Sequence, residues 1–234
     1  MSQRKLYDSA YLSTQDVSHN ETPYVFEKRL DKVLYLLEPQ KNGLYLDVGC
    51  GDGRFEKLLK DYRIIGTEIS YVAIRGKKDA LCYTLSDGRE LPFTDNSFDG
   101  IICSEVIEHM PSKSDVKFIL KELVRVCKPG KRIVITTPNE NSLLDVIRYL
   151  MTGKRNTDPL HTSLISEGML RFLLSELPVE IVYFERYFIS LPIPRYEWAL
   201  PKILYKYLYY IGKLLPIFCF GFIIKLEKVQ ETNT

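Results

Sequence analysis

Three glycines alternate with other residues directly after a short apolar segment that ends near Asp47: Gly49, Gly51 and Gly53. Glycine at such a strand end permits a sharp turn and lets a ligand contact the main chain. A dinucleotide-binding fingerprint would have its third glycine at position 54, which is occupied by Arg54. Asp52 within the turn would also repel a pyrophosphate. The loop therefore favours a ligand without phosphate groups, and carboxylates at positions 47 and 52 favour a positively charged one.

Two further acidic residues follow the next apolar segments. Glu68 stands 21 residues after Asp47 at the end of the second segment, where a carboxylate can accept hydrogen bonds from both hydroxyls of a ribose. Asp87 ends the third segment just before Leu91-Pro92-Phe93, so it could accept a hydrogen bond from an amino group of a flat base. S-adenosylmethionine would suit the glycine-containing loop, since it carries no phosphate and its ammonium and sulfonium charges are compatible with nearby carboxylates.

A third group of chemically competent residues follows the fourth apolar segment: Glu105, Glu108 and His109. A helix over this stretch would place all three on one face. A histidine such as His109 is a residue type suited to act as a general base. The same side chains, with His161 as a fourth ligand, could instead hold a divalent metal. They could also serve local hydrogen bonds, with His161 near a helix start at Thr162-Ser163.

Strands that alternate with helices are needed to bring these residues together. Hydrophobic periodicity predicts a first helix from Pro23 to Leu37 and a strand and helix alternation after it. The predicted strands are 44–48, 63–68, 81–85, 98–104, 132–137, 179–190 and 218–228, and the later helices are 55–60, 115–127, 143–150 and 167–177. This pattern predicts an α/β fold: a doubly wound, mostly parallel, seven-stranded sheet with helices on both faces and ligands at the carboxyl edge of its strands.

Composition narrows the class of protein. The 234 residues suit one domain with an embellishment, and the net charge of +2 gives no reason to expect nucleic acid as a partner. The five cysteines are an odd number without a CxxC pair, which indicates a reducing cytoplasm and neither a disulfide framework nor a zinc site. No signal-peptide-like or membrane-spanning apolar run is present in this sequence.

The segment at about 195–215 is amphipathic. If helical, it carries an apolar stripe at Ile203, Leu204, Tyr207, Leu208, Ile211, Leu214 and Leu215, with lysines on the opposite side. Such a helix could lie on a membrane surface or gate a site for an apolar substrate. It could equally cover its own sheet or a second copy of the chain in a homodimer.

Five segments together resemble the class I S-adenosylmethionine-dependent methyltransferases, of the small-molecule and ubiquinone-pathway type: LYLDVGCGDG, IIGTEIS, SDGRELPF, FDGIICSEVIEHM and LVRVCKPGKRIVITTPN. The resemblance covers about residues 44 to 140 and implies a Rossmann-like methyltransferase fold. It implies that the glycine loop holds the methionine part of the cofactor, that Glu68 holds the ribose and Asp87 the adenine, and that the main chain near Ser104 lines the sulfonium side. The full set of expected cofactor-binding residues is Asp47, Gly49, Cys50, Gly51, Gly53, Glu68, Ile69, Asp87, Gly88 and Ser104.

The resemblance also sets the expected organisation and function. Residues 1–43 are expected to form an N-terminal lid and helix, to which Tyr7 and Tyr11 could belong, and 44–234 the methyltransferase domain with the insertion at 195–215. The expected activity is cytoplasmic methyl transfer from S-adenosylmethionine to oxygen of a small or lipid-like acceptor, with His109 as the base and S-adenosylhomocysteine as product. Two alternatives remain. One is a metal-dependent RNA 2′-O-methyltransferase, because the segment EVIEHM followed by His161 resembles the pattern of that group. The other is a non-catalytic module that binds the cofactor or a partner.

Overall fold

The fold is built on a seven-stranded sheet in the order β3-β2-β1-β4-β5-β7-β6. The computed structural model describes residues 3–13, 23–75, 82–153, 160–189 and 202–230. Its strands are β1 Leu44–Val48, β2 Arg63–Glu68, β3 Tyr83–Leu85, β4 Phe98–Ser104, β5 Cys127–Pro138, β6 Val179–Ile189 and β7 Cys219–Lys228. All neighbours pair in parallel except β7, which is antiparallel to both β5 and β6. The predicted α/β fold with a mostly parallel sheet is confirmed.

Helices cover both faces because successive residues of each strand point in opposite directions. On β4, Ile101 packs into the core cluster that includes the buried face of α5, whereas Ile102 packs into the cluster under α2. The described helices are α1 Gln3–Ser13, α2 Pro23–Leu37, α3 Arg54–Leu58, α4 Tyr71–Ile74, α5 Lys113–Val126, α6 Leu143–Thr152, α7 Glu167–Ser175 and α8 Lys202–Leu214. A doubly wound sheet of this kind places its ligand crevice beside the carboxyl ends of β1 and β4, where the strand order reverses.

Most predicted boundaries agree with the structure within a few residues, and β5 is the main exception. The strand begins at Cys127, five residues earlier than predicted. The pairing of β4 with β5 shifts between Phe98 and Gly100, and this irregularity takes up the residues Lys128 to Lys131. Pro129 and Gly130 therefore end α5 as predicted but lie inside an irregular strand instead of a loop.

The amphipathic insertion is described only from Lys202 onward, so the predicted part at 195–201 lies outside the described residues. Helix α8 packs against β6, and a short 3-10 turn, Pro216–Phe218, links it to β7. Among the helices within the described ranges, none combines the length and apolar character that crossing a bilayer requires.

Candidate cofactor and acceptor site

The glycine loop after β1 has the backbone that its sequence predicts. All three alternate glycines have left-handed φ angles, +72°, +50° and +77° in chain order. A Cβ on Gly49 would stand 2.5 Å from Val106 Cγ2, so this position needs glycine for space as well as for conformation. The amides of Gly49 and Cys50 both donate to the Thr67 carbonyl, which ties the loop to the end of β2. The main chain is thereby presented bare at the sheet edge.

Glu68 joins the loop to the end of β2. One carboxylate oxygen accepts from the Gly51 amide at 3.0 Å and the other accepts from the Ser70 amide at 2.9 Å, while the residue is only 6% exposed. Each carboxylate oxygen can accept a second hydrogen bond, and Glu68 lines the cleft described below. The side chain is therefore held rigidly at the wall of the cleft.

Asp87, the expected adenine ligand, is already paired with an arginine. Arg89 donates to both of its carboxylate oxygens, at 2.7 to 3.2 Å, and also contacts Asp115. Burial raises the pKa of Asp87, but the hydrogen bonds and charge of Arg89 outweigh this effect and hold the pKa below its ordinary value. A base bound here would meet a carboxylate already paired with a guanidinium.

Helix α1 lies across the mouth of the cleft. Gln3, Tyr7 and Tyr11 line the cleft from one face of the helix. The side-chain amide of Gln3 and the hydroxyl of Tyr7 both donate to the His109 main-chain carbonyl. At the other side Asp8 accepts from the Ser70 hydroxyl at 2.6 Å and from the Val72 amide. Burial raises the pKa of Tyr11, and the nearby charge of Glu68 adds to the effect. The spacing 3, 7, 11 is helical, so this lid face could have been identified from sequence in full.

These elements enclose a cleft that opens to solvent at the carboxyl edge of the sheet. Of the candidate residues named from the sequence for the cofactor, the chemistry or a metal, seven line the cleft: Gly49, Glu68, Ile69, Asp87, Gly88, Glu105 and His109. The sequence analysis did not single out Val48, Thr67, Ser86, Val106 and Met110, which also line it.

The other predicted residues lie behind the cleft wall. Asp47 is 2% exposed within β1, and Cys50 is 6% exposed. Gly51 and Gly53 complete the turn, and the hydroxyl of Ser104 is within hydrogen-bond distance of the Thr136 hydroxyl. Asp52 is exposed and paired with Arg54 at 2.9 Å, so the charge of Arg54 partly balances it.

The expectation of a helix that aligns Glu105, Glu108 and His109 is wrong. Only Ile107–His109 is helical, as a single 3-10 turn, and Glu105 has a left-handed φ of +58°. This backbone turns the Glu105 carboxylate away from the other two side chains. It pairs with the buried Arg29 at 3.0 Å and accepts from the Thr136 hydroxyl at 2.8 Å. The four-ligand metal set therefore loses Glu105.

Glu108, His109 and His161 do converge. One potential ligand atom from each lies within 4.8 Å of the other two. Glu108 is fully buried, and its Oε2 accepts from the Thr137 hydroxyl. Its Oε1 lies 3.9 Å from His109 Nε2 and has no hydrogen-bond partner among the described residues. His109 Nδ1 lies 3.3 Å from the Leu160 carbonyl oxygen. The His161 ring packs edge-on against the His109 ring, with centroids 4.7 Å apart.

Comparison with known proteins agrees with the fold and the loop. Residues 46–135 match a family model described as a methyltransferase domain. The chain is 32% identical over 124 residues to a probable tRNA methyltransferase 9B of Mus musculus, an alignment that covers 51% of the chain and 28% of the relative. It is 36% identical over 112 residues to the chloroplastic tocopherol O-methyltransferase of Arabidopsis thaliana, covering 43% and 31%. The matched segments thus span less than a third of either relative.

A solved structure extends the likeness to most of the chain. The magnesium protoporphyrin IX methyltransferase of Synechocystis PCC 6803, solved with bound S-adenosylhomocysteine, superposes with a TM-score of 0.61 over 87% of this chain and 83% of that one at 15% identity. The fold is that of a Rossmann-like α/β protein, and residues 46–135 match the methyltransferase-domain family. Solved structures of S-adenosylmethionine-dependent methyltransferases from Methanosarcina mazei and Archaeoglobus fulgidus share this fold at 23% identity, with TM-scores of 0.57 and 0.59.

Proposed function

We propose that the protein transfers the methyl group of S-adenosylmethionine to oxygen of a small or lipid-like acceptor. The proposal rests on the observation that Gly49, the Glu68 carboxylate and His109 line the same cleft. The residues fit the cofactor, because Gly49 lines the cleft without a side chain and the Glu68 carboxylate lines it beside the glycine loop. The relative named as a tocopherol O-methyltransferase supports an oxygen acceptor of apolar character.

Each residue has a distinct task in this proposal. The cofactor supplies a methyl group already activated by a sulfonium, so the protein has to bind and align two molecules and exclude water. Glu68 accepts hydrogen bonds from the ribose hydroxyls, and the Gly49 main chain contacts the methionine part. His109, on the far wall of the cleft beside Met110, takes the proton from the acceptor hydroxyl. Helix α1 closes the cleft over both ligands.

Calorimetric titration with S-adenosylmethionine and S-adenosylhomocysteine tests cofactor binding. Glu68→Ala is expected to weaken binding by at least about a hundredfold, because it removes two charge-assisted hydrogen bonds to ribose worth roughly 1.5 kcal/mol or more each. Asp52→Asn is the matched control, since Asp52 is 55% exposed and paired with Arg54, and it should bind as the wild type does. No binding by the wild type refutes the proposal.

Transfer itself is tested with labelled S-adenosylmethionine and fractionated cell extract. Label should appear in the organic-soluble fraction, and His109→Gln should lower the rate about 10²–10⁴-fold while cofactor affinity is kept. Label in the RNA fraction, with binding that weakens steeply as salt rises, would instead support the nucleic acid acceptor that the tRNA methyltransferase relative suggests. Cofactor binding without transfer to any fraction would favour a non-catalytic binding module.

A second candidate is metal-assisted transfer, which the buried carboxylate of Glu108 favours. If His109 donates from Nδ1 to Leu160, its Nε2 lone pair faces Glu108 Oε1, so two acceptors meet across 3.9 Å. A divalent cation held by these two residues and His161 would satisfy both and could polarise an acceptor oxygen. Titration with Mn²⁺ alone, followed by electron paramagnetic resonance, decides the question. Glu108→Gln should abolish binding and Glu105→Gln should preserve it; no binding by the wild type sinks this candidate.

A further inference from the structure

Glu105 occupies a strained position at the wall of the cleft. Its φ of +58° lies in the left-handed region that residues with a side chain rarely adopt, and its amide donates to the Thr136 carbonyl of β5 at 2.9 Å. Such a backbone persists only where surrounding contacts hold it, and residues of this kind cluster at functional sites. Glu105 lines the cleft together with Gly49 and His109, although neither cofactor binding nor proton transfer uses its side chain.

Three buried side chains hold one oxygen of the Glu105 carboxylate. Oε1 accepts from the Thr136 hydroxyl at 2.8 Å and from the Tyr187 hydroxyl at 3.4 Å. The same oxygen lies 3.0 Å from the Arg29 guanidinium, and all three partners are buried. Within the described residues no hydrogen bond reaches Oε2, and 20% of the Glu105 side chain is exposed. The carboxylate is therefore fixed through Oε1, and Oε2 keeps its capacity as an acceptor.

The anchors of Glu105 lie on the half of the sheet that the expected cofactor residues do not use. The glycine loop and the two acidic residues expected to bind ribose and adenine follow β1, β2 and β3, on one side of β4. Thr136 belongs to β5 and Tyr187 to β6, which lie on the other side of β4. The cofactor and the acceptor occupy different parts of one cleft, because the methyl group must pass between them. Its anchors assign Glu105 to the acceptor's part.

Glu105 and His109 line the same cleft but act at separate points of its wall. Glu108, His109 and His161 bring one potential ligand atom each within 4.8 Å of the others, and Glu105 is not a member of this group. If His109 takes the proton of the hydroxyl that is methylated, Glu105 meets a different group of the same acceptor. A fixed carboxylate oxygen at that point selects a hydrogen-bond donor.

We propose that Oε2 of Glu105 binds a second hydrogen-bond donor, a hydroxyl or an N–H group, of the methyl acceptor. This inference rests on the proposed function and narrows its substrate class to apolar molecules that carry two donor groups. Methylation replaces the hydrogen of one hydroxyl, whose proton goes to His109, and leaves the donor on Glu105 unchanged. The methylated product therefore keeps at least one exchangeable hydrogen.

Glu105→Gln tests the binding role with little change of shape. The carbonyl of the new amide can accept from Thr136 and lie beside Arg29 as Oε1 does, so its NH₂ group takes the place of Oε2 and presents a donor to a donor. With the organic-soluble extract fraction as acceptor source, the amount needed for the half-maximal rate should rise about 10–100-fold. The maximal rate and the affinity for S-adenosylmethionine should be kept, because the lost contact is uniform binding of the acceptor.

Glu185→Gln is the matched control. Glu185 of β6 is a partly buried glutamate that pairs with Lys32 of α2 at 3.3 Å, as Glu105 pairs with a cation of the same helix, but it does not line the cleft. Its variant should show the half-maximal amount of the wild type. An equal rise in this control would assign the effect to the packing of α2 on the sheet and overturn the proposal.

Mass spectrometry of the labelled product in D₂O needs only the wild type, so it decides the question even if the Glu105 variant does not fold. At least one exchangeable hydrogen supports the proposal, and a product with none overturns it. An unchanged half-maximal amount in Glu105→Gln also overturns it, as does weaker binding of S-adenosylmethionine, which would assign Glu105 to the cofactor ammonium. These results leave the proposed methyl transfer standing. A wild type that transfers no label refutes the methyl transfer and this inference together.

Discussion

Gly49→Ala tests how the glycine loop is held, and its cost can be worked from two separate features. A side chain at φ +72° costs about 1–2 kcal/mol relative to glycine. The added Cβ would also stand 2.5 Å from Val106 Cγ2. Displacing a packed side chain of this kind costs about 1–3 kcal/mol. The expected loss is therefore about 2–5 kcal/mol in the free energy of unfolding, or roughly 4–20 °C in melting temperature at 2–4 °C per kcal/mol.

Two other glycines separate the contributions. Gly153 has a φ of +69° with open space around its added Cβ, so Gly153→Ala should show the conformational cost alone, about 1–2 kcal/mol. Gly168 has open space and no positive φ, so Gly168→Ala should stabilise α7 by about 0.5–1 kcal/mol. Urea denaturation of all three variants measures these differences.

Val106 provides the decisive comparison. Adding Val106→Ala to Gly49→Ala should recover the steric part of the loss, a coupling of about 1–3 kcal/mol in a double-mutant cycle. Gly49→Ala should also weaken S-adenosylmethionine binding at least about tenfold, because the added methyl displaces Val106, which lines the cleft. The reasoning is refuted if Gly49→Ala costs no more than Gly153→Ala, or if the cycle shows no coupling.

Three further predictions concern the groups around the cleft. Asp8→Asn should loosen α1 and speed amide hydrogen exchange there relative to the core strands; equal exchange would contradict a lid anchored by Asp8. Arg29→Met should destabilise the fold by about 3 kcal/mol in urea, because it leaves Glu105 mostly buried without its cation, and adding Glu105→Gln should recover much of this; a loss below about 1 kcal/mol would count against the pair. The lowered pKa of Asp87 contributes stability that is complete above its ordinary value near 3.9 and is lost as pH falls through the folded-state value. Melting temperature should therefore fall more steeply below about pH 4 in the wild type than in Asp87→Asn, and equal slopes would exclude this contribution.

Local signals were sufficient for the parts of the fold whose causes are local. The strands β1, β2 and β4 have the bounds that the sequence predicts, because continuous apolar runs bounded by Gly, Asp and Asn leave little choice of register. The left-handed turn at Gly49, Gly51 and Gly53 follows for the same reason, since three alternate residues without a Cβ mark positions where other residues are strained.

Other features depend on contacts between distant segments, and only the tertiary structure decided them. The Glu105 carboxylate does not join Glu108 and the two histidines. It pairs at 3.0 Å with Arg29 of α2, which lies 76 residues earlier in the sequence. Asp87 lines the cleft as an ion pair with Arg89. The Arg89 guanidinium is held in this position by a second ion pair, with Asp115 of α5.

The same holds for the two helices at the edges of the protein. Helix α1 lies along the cleft because Asp8 accepts from Ser70 and from Val72 of α4, and because the Tyr7 hydroxyl donates to the His109 carbonyl. Amphipathic periodicity predicted α8, but it could not tell which apolar residues of the helix face the core. That depends on how α8 packs on β6, which buries Leu208 against the cluster that contains Tyr187. Sequence thus determined the strands and the cofactor loop, whose conformations are dictated by neighbouring residues. Tertiary packing determined which charged and apolar groups remain available for a ligand, because pairing and burial are set by residues far apart in the chain.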